Sequence, residues 1–172
     1  MRFTSFRLLL LVLALAVSCR PPSAEREVVT SGKGNLAGLV GRQLGSPDAP
    51  VRVVSFLPVI DGCQDVIGEY LAAVAEKYPA VFQVRILAMK SPEGRELMAA
   101  HEIRCAAVMV NGETTFDLGG EDGKFILEGP MDPRDVVRAL AAAARAAVGD
   151  RAPELPEPPE IPGIDKMPKR TF

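Results

Sequence analysis

Two short runs rich in β-branched and aliphatic residues, Val51 to Leu57 (VRVVSFL) and Val81 to Met89 (VFQVRILAM), flank a stretch of helical periodicity. Runs of this length and composition read as buried strands. Between them Val66, Ile67, Tyr70, Leu71, Val74 and Tyr78 recur at the spacing of one helix face. Asp61 supplies an N-cap with Gln64 three residues on, as in a capping box, and Pro79 stops the helix. Two strands joined by a helical crossover pair in parallel. This unit therefore commits the chain to an α/β sheet with helices packed on it.

The rest of the pattern extends that sheet. Leu36 to Leu44 reads as a short helix, and Ser91-Pro92-Glu93 caps and opens a further helix that runs to about His101. Cys105 to Val110 is a third strand, and Asn111-Gly112 is a tight hairpin turn. Thr114 to Leu118 is expected to return antiparallel, Gly119 to Lys124 to turn again, and Phe125 to Leu127 to add a strand. Asp132-Pro133 caps a last helix lined by Val136, Val137, Leu140 and Ala144. The expectation is a central mixed sheet of four to five strands with helices on both faces. It is built from residues 36–149, a block long enough for one core.

Both flanks differ in kind. Arg2 and Arg7 precede an unbroken apolar run, Leu8 to Val17, followed by Ser18 and Cys19. A charged start, about ten apolar residues and small residues before a cleavage point make a secretion signal over 1–18. The run is too short to span a bilayer core, which takes about 20 residues. Leu15-Ala16-Val17-Ser18-Cys19 resembles the bacterial lipoprotein signal, in which the cysteine is lipidated and becomes the new N-terminus, although that motif prefers Leu where Ala16 stands. The resemblance implies acylation at Cys19 and a lipid-anchored protein facing the periplasm or the exterior. Arg20, in place of the aspartate linked to inner-membrane retention, points to the outer membrane if the cell is Gram-negative. Residues 19–35, rich in Pro, Ser, Gly and charge, read as a flexible tether. Residues 150–172 carry Pro153, Pro156, Pro158, Pro159, Pro162 and Pro168 among acids, and read as an extended, disordered tail.

Composition excludes several functions. Twenty basic residues against 22 acidic ones, interspersed, leave no basic surface for nucleic acid. Aromatics make up 5% of the chain, too few for a sugar- or base-stacking platform. One histidine makes a Ser-His-Asp hydrolase triad improbable. Glu93 and Glu96 fit a solvated helix face. Asp117, Glu121 and Asp122 lack the ligand spacing of a calcium loop. Gly119-Gly120 is not followed by the Gly-Lys-Ser/Thr of a phosphate loop. No cofactor is implied.

The order strand, helix, strand, helix, hairpin, helix resembles the thioredoxin fold over about Gly45 to Val148. The stretch Gly45-Ser46-Pro47-Asp48-Ala49-Pro50-Val51 through Phe56 looks like the first strand of periplasmic disulfide oxidoreductases, and Ile103-Arg104 through Asn111-Gly112 looks like the loop and hairpin after the second helix. The departures are specific. Thioredoxins carry Cys-x-x-Cys where strand meets helix, whereas Pro58 to Gln64 holds only Cys63. The family's cis-proline falls near Ala106 or Ala107, and neither is proline. The fold that the resemblance implies would bring Cys63, at the start of the first helix, beside Cys105, in the loop before the third strand. Three readings follow: a structural disulfide; a thiol–disulfide exchange pair acting on exported protein thiols, with Cys63 attacking and Cys105 resolving; or a soft-metal site for Cu(I) completed by His101 or Met109.

Overall fold

A computed structural model describes residues 35–58, 65–119 and 123–158. The signal and tether, Cys19 included, the 59–64 segment with Asp61, Cys63 and Gln64, residues 120–122 and the chain from 159 onward lie outside the described residues.

The crossover unit forms as its pattern requires. Strand β2 (Val51–Leu57) and strand β3 (Phe82–Ala88) pair in parallel, in register from Val51↔Phe82 to Leu57↔Ala88. Helix α1 (Asp65–Lys77) connects them. Strand β4 (Ala107–Val110) runs antiparallel along the other side of β2, from Val53↔Val110 to Phe56↔Ala107. A two-residue strand, β1 (Gln43–Leu44), closes the far edge antiparallel to β3, giving the order β1-β3-β2-β4. The protein is thus mixed α/β, with a four-stranded mixed sheet.

Alternation along the strands sorts side chains into two layers. Val51, Val53 and Leu57, with Phe82, Val84 and Ile86 and with Val108 and Val110, face α1 and the last helix, α3 (Pro133–Val148). Ile67, Leu71 and Val74 of α1 and Val136, Leu140 and Ala144 of α3 meet them. Phe56, Leu87, Ala107 and Met109 face the other way, onto Met98 of helix α2 (Pro92–Ala100) and Ile103. Fully burying such a side chain contributes about 1.5–3 kcal/mol, so the larger layer carries most of the stability. The caps follow the sequence. Ser91 Oγ accepts from the amide of Gly94 at 3.0 Å and donates to the carbonyl of Ala88 at 2.8 Å, and Asp132 accepts from the amide of Arg134 at 2.9 Å.

Three expectations need correction. The helix expected over Leu36 to Leu44 is a single 3-10 turn, Asn35–Gly38, followed by β1. Leu36 is fully buried, and its side chain occupies the space that a Cβ on Gly68 of α1 would take, 2.2 Å from Leu36 Cδ1. One buried leucine therefore fixes the segment, and Gly38 and Gly41 interrupt any longer helix. Second, Thr114 to Leu118 does not extend the main sheet. Strand β5 (Thr115–Asp117) pairs with strand β6 (Lys124–Ile126) as a separate ribbon, and the β4 edge receives Leu127 and Glu128 instead. The physical reason is the turn: Asn111 and Gly112, both at positive φ (52° and 92°), reverse the chain tightly enough for one bridge, Val110↔Glu113, after which β5 pairs with β6 and only Phe116 of its three side chains packs against the core.

Third, the segment after Asp150 is not loose over 150–158. A short turn at Gly149–Arg151 sends the chain back over α1, where Ala152 and Leu155 pack against the main core. Proline forbids a helix there but does not forbid packing.

Candidate thiol site

The geometry around Cys105 begins at the end of α2. His101 caps the helix and is exposed, and Glu102 adopts a left-handed conformation (φ 56°). The amide of Ile103 donates to the Met98 carbonyl at 2.8 Å and that of Glu102 to the Ala99 carbonyl at 3.2 Å. This is the Schellman pattern, with its apolar contact made by Ile103 and Met98 in the smaller core. Burying Ile103 turns the next two residues, Arg104 and Cys105, outward.

The loop is pinned on both sides of the sulfur. The Arg104 amide donates to Glu128 Oε1 at 3.0 Å, and the Ala106 carbonyl accepts from the Gly129 amide at 2.7 Å. Cys105 between them is exposed, with a free thiol. A fixed backbone with an exposed thiol suits attack by or on another sulfur, because access is one determinant of exchange. Glu128 is the residue that sequence reasoning missed; nothing in its spacing marks it, since its role depends on where the chain returns after the β5–β6 ribbon.

The loop's position follows from strand register. Phe56 pairs with Ala107, so Cys105 lies at the end of the sheet where β2 delivers the chain to Pro58. Helix α1 leaves from that same end at Asp65. Cys63 belongs to the intervening 59–64 segment, outside the described residues. The other residues considered as soft-metal ligands do not converge. Met109 is buried among Phe56, Leu87 and Met98, whereas His101 is exposed at the helix end. Among the described residues no group of three or more His, Cys, Asp or Glu side chains is placed to hold a metal ion.

Elsewhere among the described residues the surface is shallow. A hollow of about 430 Å³ lies between residues 38–42 and α1, and its lining does not include Cys105. No helix among the described residues is long and apolar enough to cross a membrane. Comparison with protein-family models, curated proteins and solved structures finds no match.

Proposed function

We propose that this chain is an exported, lipid-anchored, thioredoxin-like protein whose Cys63 and Cys105 form a thiol/disulfide pair that exchanges with exported protein thiols. The observation that carries the reading is the register Phe56↔Ala107, which puts exposed Cys105 at the sheet end where β2 gives way to the segment bearing Cys63. The parallel β2–β3 pair with antiparallel β4 beside it supports the thioredoxin-like assignment. Cys63 is the attacking thiolate and Cys105 the resolving partner. Electrons balance within the pair: two thiols of the reduced protein become one disulfide while a partner's disulfide becomes two thiols. The anchor rests on the signal that ends at Cys19.

The test combines mass spectrometry of the purified protein with equilibration in glutathione buffers. The expected result is a Cys63–Cys105 disulfide with a potential between about −270 and −120 mV. A value below about −300 mV assigns a structural bond instead. Two thiols that stay reduced throughout remove the exchange role. Acylation at Cys19, read in the same spectra, tests the anchor separately.

A further inference from the structure

The chain has two tyrosines and no tryptophan, and both tyrosines hold one segment. Tyr70 in α1 donates its hydroxyl to the Pro156 carbonyl at 2.9 Å. Tyr78, one residue beyond α1, donates to the Glu154 carbonyl at 2.7 Å. The segment leaves its turn already extended at Ala152 (φ −59°, ψ 130°), and prolines 153, 156 and 158 fix φ near the same value. Exposure then repeats every third residue. Arg151, Glu154 and Glu157 are exposed, and the two residues between each of them are partly buried. A period of three is that of a polyproline II helix, here seated with one edge outward.

The chemistry suits such a ligand. A polyproline II segment makes no internal hydrogen bonds, so its carbonyls stand free to accept from phenol hydroxyls, and its stiffness lowers the ordering cost. Aromatic surfaces that read P-x-x-P segments work this way. Pro153 and Pro156 have that spacing, and Leu155 adds an apolar anchor against the core. We propose that the flank of α1 bearing Tyr70 and Tyr78 is a docking site for extended proline-rich segments, with Ala152–Pro158 as the occupant that the chain itself supplies. A proline-rich segment of another exported protein gains the site by displacing this strap. The proposal does not depend on the thiols.

The test titrates a labelled peptide of the sequence of residues 150–163 onto three full-length proteins: wild type, a strap-weakened variant (Pro153→Ala, Leu155→Ser, Pro156→Ala), and that variant with Tyr70→Phe and Tyr78→Phe. Binding is expected to the strap-weakened protein. In the wild type it is at least about tenfold weaker, because the tethered occupant competes at millimolar effective concentration. Loss of the two hydroxyls weakens it about tenfold again, the size expected for two hydrogen bonds. No binding to a folded strap-weakened protein, or equal binding with and without the hydroxyls, overturns the proposal. Should the strap-weakened protein not fold, the wild-type chain serves. A peptide with Gln in place of Glu, at millimolar concentration, is expected to speed glutamyl-protease cleavage after Glu154, the bond to Leu155, by lifting the strap. Unchanged cleavage overturns the proposal.

Discussion

Asn111 accepts the backbone amide of Arg52 on its side-chain oxygen at 2.8 Å and returns its own amide to the Arg52 carbonyl at 2.8 Å, across 59 positions of sequence. A turn residue thereby adds one more rung to the β2–β4 ladder, in the place where a strand carbonyl would sit. The same residue supplies the positive φ that the turn needs (52°). Asn111→Gly keeps the turn and loses the rung, and should cost about 1 kcal/mol. Asn111→Ala loses both, and should cost about 2 kcal/mol. Urea unfolding distinguishes the two: a glycine variant with the wild-type midpoint would show that the side-chain bond contributes nothing, and equal midpoints for the two variants that the left-handed turn costs alanine nothing.

Glu102 closes α2 in a conformation that favours glycine (φ 56°). Its amide bond to Ala99 is a backbone bond, so substitution leaves the cap intact. Glu102→Gly should therefore stabilise the protein by about 0.5–1 kcal/mol, the relief of left-handed strain less the added freedom of the unfolded chain. Ile103→Ala, one residue on, removes the apolar half of the same motif and should cost about 2–4 kcal/mol. Thermal melts of the pair check both signs.

Ser55 lies at the centre of β2, fully buried, and its hydroxyl has no hydrogen-bond partner among the described residues. Its neighbours across the sheet are Ile86 and Val108. A buried unpaired hydroxyl costs about 1–3 kcal/mol. Ser55→Ala should stabilise the protein by about 1 kcal/mol, after allowance for the oxygen volume lost from the packing, and so raise the midpoint of denaturation. A lower midpoint would mean that the hydroxyl is bonded in solution.

Burial, with the Tyr78 phenol a smaller contributor, pushes the Tyr70 hydroxyl up from 10.0 to about 12. The unfolded chain loses this proton near its ordinary value, whereas the folded chain holds it, so the unfolded state binds fewer protons between those limits. Stability from this group is complete below about pH 10 and falls as pH rises from 10 towards 12. Tyr70→Phe should flatten that fall while lowering stability at neutral pH through the lost bond to Pro156. Denaturant midpoints measured across this range for both proteins provide the check.

Much of the architecture was legible because periodicity and caps act locally. The parallel pair β2–β3 follows from two apolar runs around one helix, and Ser91 and Asp132 occupy the cap positions that their sequence context assigns. What was illegible depends on distant partners. Strand β1 is two residues long, too short for any pattern, and exists because β3 offers it an edge. The β5–β6 ribbon follows from how tightly Asn111-Gly112 turns. The docked strap is written in backbone carbonyls, which have no letter of their own; Leu155, an apolar residue among prolines and acids, was its one visible sign. In the candidate site the sequence offers Cys105, but Glu128 is found only by following the fold.

Leu36 nests against α1 at Gly68, and the strap lies across the same helix at Tyr70 and Tyr78. The first and last described stretches thus leave the molecule from one layer. Whatever is attached at either side, an acyl anchor before residue 35 or a fusion after residue 158, pulls on a single helix and crowds a single surface. The layer roofed by α2 lies on the far side of the sheet, away from both ends of the described chain.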